Sequence, residues 1–195
     1  MLELYQMIID AHTHCGQFDD KYYAPEALIA SMDEAGIDYS ILLANDRTVR
    51  PGLTTEDAIK LSEKFPRLKP VGNIDGSKID EEHITLLKDY LKQGKIFGVK
   101  LYAGYDNYYW WDARLDPLYE YCEKQGHTVA FHTGVLAIGD TGLLKQAHPL
   151  EADQVAAKFP NLNCALPFWQ SLDNGLRNSC RQKPERIRRS FCLFR

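Results

Sequence analysis

The feature that most constrains this chain is a His-x-His pair at the end of an apolar, strand-like run. That run ends at Ile9 and leads into Asp10, and His12 and His14 follow before Gly16. Because a strand points successive side chains to opposite faces, His12 and His14 point the same way, and Asp10 shares their face. Two imidazoles at one strand end can ligate a divalent metal ion such as zinc. The alternative is a pair of ordinary histidines satisfied by hydrogen bonds.

Strand-like and helix-like segments then alternate along the chain with a period of roughly thirty residues. Pro25 and Gly36 bound the first helix, and Thr55 is expected to cap the second. This alternation predicts parallel βαβ units, which right-handed crossovers wind into a barrel or a doubly wound sheet. No Gly-x-Gly-x-x-Gly follows the first strand, which disfavours a dinucleotide-binding fold. After the first strand, the sequence predicts strands at 39–44, 69–74, 96–102, 128–132 and 162–166, and helices at 25–35, 55–65, 80–93, 116–126 and 149–159.

A third histidine, His132, ends the fifth expected strand much as His12 and His14 end the first. In a closed parallel barrel the carboxyl ends of the strands face one mouth, where barrel enzymes carry their chemistry. The three histidines can therefore meet at one metal ion. A core histidine satisfied by a carbonyl is the alternative interpretation of His132.

Lys100 lies between Val99 and Leu101 in an expected strand. A buried lysine needs a reason, because leaving its charge unpaired costs free energy. It could bind an anionic group of a substrate, pair with a carboxylate such as Asp10, or be carbamylated and bridge two metals. We favour the first two over the third.

An aromatic segment, residues 102–114, follows that strand and includes Tyr102 and Tyr105. It is predicted to wall a pocket for an apolar or aromatic substrate, with Arg114 as an anion anchor. Packing of this loop against its neighbours is an equal alternative. His148, just before the fifth helix, is expected to face the substrate or to support the metal ligands.

The composition is that of a globular protein, and it limits the classes of partner. The net charge of the 195 residues is -4, which predicts no nucleic-acid or membrane surface. The chain does not start with a basic region followed by an apolar run, so we expect no signal peptide. The five cysteines form no Cys-x-x-Cys, which favours a reduced, cytoplasmic setting. The expected partner is a small-molecule substrate, and homo-oligomerisation stays open.

Several segments in combination resemble the amidohydrolase superfamily of metal-dependent TIM-barrel enzymes, in particular its amidohydrolase-related (amidohydrolase 2) branch. That branch also contains aminocarboxymuconate-semialdehyde-type decarboxylases. The resemblance implies a TIM (β/α)8-type barrel, here incomplete with about six β/α units. It also implies metal ligands at His12, His14 and His132, with zinc as the expected ion and manganese as the alternative. The segments that carry it are residues 9–14, 98–101, 112–119, 129–134, 148–150 and 159–162.

The activity implied by this resemblance is metal-dependent hydrolysis, in which an activated water attacks a small-molecule C–N or C–O bond. A non-hydrolytic, metal-dependent decarboxylase is the second interpretation. A non-catalytic relic or binding protein is the alternative from another class. We expect substrate contacts at Lys100, Tyr102, Tyr105, Arg114 and His148.

The tail departs from the family pattern. The family expects a histidine after strand six and a catalytic aspartate after strand eight, but Cys164 to Phe168 contains no histidine. From Arg177 to Arg195 there are seven basic residues and one acidic residue. We interpret residues 1–166 as the partial barrel and 167–195 as a frameshifted tail, and we expect impaired activity. A divergent C-terminus and a nucleic-acid-binding arm are the alternatives.

The frameshift hypothesis depends on back-translation. With suitable codons, shifting residues 167–173 by one base gives His-Phe-Gly-Asn-Pro-Trp, which resembles the missing strand-six histidine and its loop. The same shift of residues 181–192 gives Ala-Arg-Asn-Pro-Asn-Val-Tyr-Ala-Asp-Leu-Ser, which resembles a seventh strand. Two family-like segments from one shift are hard to obtain by chance.

Overall fold

The computed structural model describes residues 7–18, 20–48, 50–134 and 143–166. Its main feature is a sheet of six parallel strands, each hydrogen-bonded to the next one along the chain. The proposed tail, 167–195, lies outside the described residues. The main-sheet strands are β1 (Ile9–Thr13), β4 (Tyr39–Leu43), β5 (Leu68–Ile74), β6 (Gly98–Leu101), β7 (Thr128–Phe131) and β8 (Asn163–Ala165).

The strand order distinguishes between the two architectures that the sequence left open. The spatial order β1-β4-β5-β6-β7-β8 follows the chain order without reversal. A doubly wound sheet reverses direction at a switch point, whereas a β/α barrel winds in one direction. The fold class is therefore an incomplete TIM-type barrel, as predicted.

Helices connect successive strands, as expected of βαβ units. The α-helices are α1 (Pro25–Ala35), α2 (Thr55–Lys64), α3 (Glu81–Lys92), α4 (Ala103–Asp106), α5 (Asp116–Gln125) and α6 (Glu151–Lys158). Short 3-10 turns occupy Gly76–Lys78, Ala113–Leu115 and Leu144–Ala147. Among the helices of the described ranges, none combines the length and apolar content that a membrane crossing requires.

The helix ends follow the local sequence signals, with one correction. Pro25 stands in the first turn of α1, and Gly36 ends that helix in the left-handed region at φ 66°. The predicted cap Thr55 is wrong by one residue, because the extended residue that accepts from the Asp57 amide is Thr54. Thr55 is already helical, and its hydroxyl instead accepts from the amide of Asn73 on β5.

The core lies between the sheet and its helices. The strands β5, β6 and β7 are buried along almost their whole length, as expected of strands covered on both faces. Phe131 on β7 packs against Trp110 and Tyr119, with ring centroids 4.8 and 6.3 Å away. At one edge of the described sheet, Ile9 on β1 is about half exposed.

Two features near β1 did not follow from the sequence. The chain forms a small antiparallel hairpin, β2 (Gly16–Phe18) with β3 (Lys21–Tyr23), directly after the His-x-His pair. The register of β1 against β4 also shifts between Asp10 and Thr13. Asp10 pairs with Ser40 and Thr13 with Leu42, so β1 advances three residues while β4 advances two. The shift is a bulge-like irregularity at the strand end that carries the histidines.

Candidate metal centre

His12 and His14 lie side by side at the carboxyl end of β1. Their Nε2 atoms are 3.1 Å apart, and their ring centroids are 5.1 Å apart. Two imidazole ligands that each lie about 2.0–2.1 Å from one tetrahedral zinc ion are separated by about 3.4 Å, so the observed separation suits a shared ion. It equally suits a hydrogen bond in which one Nε2 donates to the other.

The surroundings of His14 favour the tautomer that metal ligation needs. Its Nδ1 lies 3.2 Å from the Leu43 carbonyl oxygen, at the end of β4. A carbonyl only accepts, so Nδ1–H is the donor and the Nε2 lone pair points away from the strand. Phe18 of the hairpin packs edge-on against the ring, with centroids 5.8 Å apart.

His12 is supported from its own strand. The Asp10 carboxylate, which shares its side of β1 in the sequence pattern, accepts a hydrogen bond from the His12 backbone amide at 3.1 Å. This bond lies within the register irregularity of β1. Asp10 therefore shapes the strand end that presents the histidine pair.

His132 follows β7, and it is buried at the same end of the sheet. Its amide donates to the Leu101 carbonyl at 2.9 Å, which fixes the residue against the end of β6. Its ring stacks on Tyr102 at 6.1 Å and packs against Tyr105 at 4.6 Å. Its charge also lowers the pKa of His12, so the third histidine lies near His12.

Burial and a nearby cation keep the histidine pair neutral. Desolvation, followed by the charge of Lys100, lowers the pKa of His12 to about 2 and that of His14 to about 4. Lys100 is fully buried on β6, with its Nζ 5.3 Å from the Tyr102 ring centroid. Neutral imidazoles are the form that binds metals, so the donor set fits a divalent ion.

No group of three or more His, Cys, Asp or Glu side chains within the described ranges is arranged to hold a metal ion. The described part of the site thus consists of one close histidine pair with a third histidine nearby. Two of the expected substrate residues, Tyr102 and Tyr105, contact that third histidine. The structure thereby brings together His12, His14, Lys100, Tyr102, Tyr105 and His132.

Of the five expected substrate residues, Arg114 and His148 make different contacts. Arg114 is about half exposed, and its Nε and Nη2 donate to the two carboxylate oxygens of Asp112 at 3.0 and 2.7 Å. That pairing raises the pKa of the Arg114 guanidinium. His148 Nδ1 accepts from the Leu150 amide at 3.2 Å, at the start of the turn into α6. Neither contact points to a substrate.

The aromatic segment divides between the two roles left open for it. Tyr108 and Trp110 are buried in the core, and the Tyr108 hydroxyl accepts from the Tyr102 backbone amide at 3.0 Å. Tyr109 and Trp111 stack on each other at 4.7 Å, and Trp111 donates to Glu151 on α6. Loop packing therefore explains most of the segment, while Tyr102 and Tyr105 pack against His132.

Sequence reasoning missed a buried ion pair beside this site. Arg47, in the loop after β4, donates through Nη1 to Asp106 Oδ1 at 3.1 Å, and both side chains are almost fully buried. Burial raises the pKa of Asp106 to about 6, although the Arg47 guanidinium lowers it. The available signal was position: Arg47 follows a buried strand by a few residues, where barrel enzymes carry functional side chains.

The single winding direction and the histidines at the carboxyl ends of β1 and β7 define the chain as a TIM-type barrel protein. Comparison with protein families is more specific. The amidohydrolase family model matches residues 9–167, so this chain belongs to the amidohydrolase family. No curated protein sequence gives a significant match.

Solved structures agree on the fold. An uncharacterised TIM-barrel protein from Bordetella bronchiseptica has a TM-score of 0.75 at 20% identity, over 93% of this chain and 74% of its own. A dihydroxybenzoic acid decarboxylase from Polaromonas, with bound manganese and 2-nitroresorcinol, has a TM-score of 0.61 at 17% identity, over 84% and 65%. A probable 2-pyrone-4,6-dicarboxylic acid hydrolase from Acinetobacter baumannii, with citric acid bound, has a TM-score of 0.55 at 17% identity, over 91% and 65%. The chain thus spans just under two thirds of the last two proteins.

Proposed function

We propose that this chain contributes the histidine side of a metal site in a metal-dependent hydrolase that acts on small molecules. The observation that supports this most is the 3.1 Å separation of His12 Nε2 and His14 Nε2, with His14 held through Nδ1 by a backbone carbonyl. Family membership supports it independently. His132 is the proposed third ligand, because it lies near His12 at the same end of the sheet.

A divalent ion bound there would polarise a substrate carbonyl and lower the pKa of water from about 15.7 towards 7. Burial and Lys100 keep the His12 and His14 imidazoles neutral, and the Leu43 carbonyl orients the His14 ring, which supports this role. We propose zinc, because imidazole suits it well, with manganese as the alternative. The manganese bound to the related Polaromonas decarboxylase supports that alternative.

Lys100 is the proposed anchor for an anionic substrate group. Its buried charge already acts on both His12 and His14, so a divalent ion beside it would experience repulsion. A carboxylate placed between the ion and Lys100 would relieve that repulsion. Tyr102 and Tyr105 are proposed to contact the rest of the substrate, whereas Arg114 and His148 remain predictions.

The same electrostatics favour a second candidate, a non-hydrolytic decarboxylase. A site with a buried lysine suits a carboxylic acid, and a related structure is a decarboxylase of dihydroxybenzoic acid. The two candidates differ in product. Incubation with 2,6-dihydroxybenzoate and with 2-pyrone-4,6-dicarboxylate would separate carbon dioxide release from ring-opening hydrolysis. A third interpretation, a non-catalytic relic or binding protein in a cytoplasmic setting, predicts neither product. Because impaired activity is expected of this chain, a product identifies the reaction, whereas the absence of both products leaves the decision to metal binding.

The metal content of purified protein tests the proposal directly. We expect close to one zinc or manganese ion per chain by mass spectrometry, lost in the His12→Ala/His14→Ala double variant. His83→Ala is the matched control, because His83 lies on α3 and contacts the Lys78 carbonyl. Equal metal content in all three proteins would overturn the proposed site.

A further inference from the structure

The Arg47–Asp106 pair has no role in the proposed chemistry, yet it is built into the carboxyl face of the sheet. It joins the loop after β4 to α4, which follows β6. Asp106 also accepts from the Gly76 amide at 3.3 Å, which adds the loop after β5. Three successive loops thus meet at one buried carboxylate.

The guanidinium lies against the two tyrosines that hold His132. Its Cζ lies 4.4 Å from the Tyr105 ring centroid and 5.4 Å from the Tyr102 centroid, distances typical of cation–π contacts. Tyr105 packs in turn against His132 at 4.6 Å. A continuous chain of contacts therefore runs from Asp106 through Arg47 and Tyr105 to the His132 ring.

Tyr102 completes the packing from the other side. Its hydroxyl donates to the Ala44 carbonyl at 3.0 Å, just before the Arg47 loop, and its ring stacks on His132 with an interplanar angle of 25°. Tyr102 is thus held both at its hydroxyl and at its ring face, and Tyr105 is the ring that lies nearer to both the Arg47 guanidinium and His132. Tyr105 is also the less buried one.

We propose that Arg47, fixed by Asp106, is a positioning residue that sets the orientation of His132 through the Tyr105 ring. This inference rests on the proposed function only where it concerns metal binding. If the Arg47–Asp106 pair only filled space, side chains of equal volume could replace it without effect on His132. If Arg47 is a positioning residue, its replacement changes the orientation of the His132 ring. Residues that orient a ligand typically change metal affinity about 10–100-fold when they are removed.

The first experiment uses metal-free protein, so that it does not depend on ligation. The ring signals of His132 are recorded by NMR in the wild type, Arg47→Met, Tyr105→Ala and Tyr105→Phe proteins. We expect shifts in Arg47→Met and Tyr105→Ala, and smaller shifts in Tyr105→Phe, which keeps the ring. Lys60→Met is the charge-matched control, because Lys60 is exposed and pairs with Asp57 on the surface of α2.

The second experiment titrates the same proteins with Co²⁺ and follows the visible spectrum. We expect about 10–100-fold weaker binding and an altered spectrum in Arg47→Met and Tyr105→Ala, with partial recovery in Arg47→Lys. The spectrum reports ligand geometry, which a loss of stability alone does not change in the folded fraction.

The outcomes separate the two proposals. A folded Arg47→Met protein with wild-type His132 signals and wild-type Co²⁺ binding overturns the positioning role. If the His132 signals shift in Arg47→Met but the wild-type protein binds no Co²⁺, the positioning role is supported and the metal site is overturned. If Arg47→Met does not fold, Tyr105→Ala, whose side chain is only partly buried, decides through its Co²⁺ affinity and spectrum, because loss of the ring by itself shifts the His132 signals.

Discussion

Arg47 Nη1 lies 3.1 Å from Asp106 Oδ1, and the two side chains are only 6% and 3% exposed. Desolvation of such a pair can exceed its Coulombic gain. The outcome here is visible in the carboxyl group: burial raises the pKa of Asp106 to about 6 against the lowering effect of Arg47. The pair therefore fixes the relative positions of its two loops, and burial of the charged Asp106 carboxylate lowers the free energy of unfolding near neutral pH.

That raised pKa predicts the pH dependence of stability. The folded protein keeps a proton on Asp106 between its ordinary value of 3.8 and about 6, where the unfolded chain has released it. The native state then binds more protons, so this group makes the free energy of unfolding fall as pH rises through that window. Urea unfolding from pH 4 to 7 should show a flatter profile for Asp106→Asn than for the wild type.

A carboxyl group with the opposite shift provides the control. The hydrogen bond from Lys60 is the main cause that lowers the pKa of Asp57. The small contribution of Asp57 to the free energy of unfolding is therefore lost as pH falls. Asp57→Asn should leave the Asp106 window unchanged. A wild-type slope in Asp106→Asn would show that other groups produce the dependence.

Replacement of Lys100 should change metal and anion binding in opposite directions. Lys100→Met removes a buried cation that acts on His12 and His14, so a divalent ion should bind about tenfold more tightly. Benzoate, which needs the cation, should bind more weakly to the metal-loaded variant. Isothermal titration with Zn²⁺ and then with benzoate measures both, and Lys60→Met should behave as the wild type.

Parallel changes in both affinities, or no change, would contradict the assignment of Lys100 as an anion anchor. Benzamide serves as the neutral analogue of benzoate. Its affinity should not depend on Lys100.

Replacement of glycine by alanine should lower the free energy of unfolding by different amounts at Gly98 and Gly94. A Cβ at Gly98 would lie 2.5 Å from the Thr128 carbonyl oxygen on the neighbouring strand, so Gly98→Ala should force β6 and β7 apart. Overpacking of this kind costs about 1–3 kcal/mol, and the contact with rigid backbone favours the upper end. Thermal or urea unfolding provides the measurement.

Gly94 is the matched control, because no atom of the described residues beyond its chain neighbours lies within 4 Å of the position a Cβ would take, and its φ is +67°. Gly94→Ala should cost about 1 kcal/mol, from backbone strain alone. A larger loss at Gly94 than at Gly98 would contradict the packing of β6 on β7.

The change in composition after residue 166 makes a prediction at the level of DNA. We expect that sequencing the gene from the codon of Asn161 onward reveals, one base out of frame, a histidine segment, a seventh strand and a downstream aspartate. The reason is chemical, because metal-assisted hydrolysis needs a general base beside the ion. A clean frame without such a continuation would favour the divergent tail.

Local patterns predicted the parts of the fold that local physics decides. Strand β4 and helix α1 follow from apolar runs and from Pro25 and Gly36, which act within a few residues of themselves. Strand alternation predicted that His12 and His14 point the same way, but it did not predict the register shift between Asp10 and Thr13 or the end of β1 before His14. The expected strand at 128–132 placed His132 at the same end of the sheet, and the family resemblance added only its role as a ligand.

Long-range contacts decided what the sequence could not show. Arg47 finds Asp106 across fifty-nine residues, whereas Arg114, the arginine that was expected to anchor an anion, pairs with Asp112 two residues away. Both are arginines in loops near strand ends, and only the packing of neighbouring loops distinguishes them. The hairpin β2–β3 is too short for any periodicity to indicate it.

The place of β1 in the sheet has a consequence for how the centre would open. Within the described sheet β1 is hydrogen-bonded to β4 alone, while β7, which leads to His132, has a strand on each side. Amide protons of β1 should therefore exchange with solvent sooner than those of β7. An ion shared by His14 and His132 would connect β1 to β7 and slow that exchange. The bound metal would therefore stabilise β1, the edge strand that opens first.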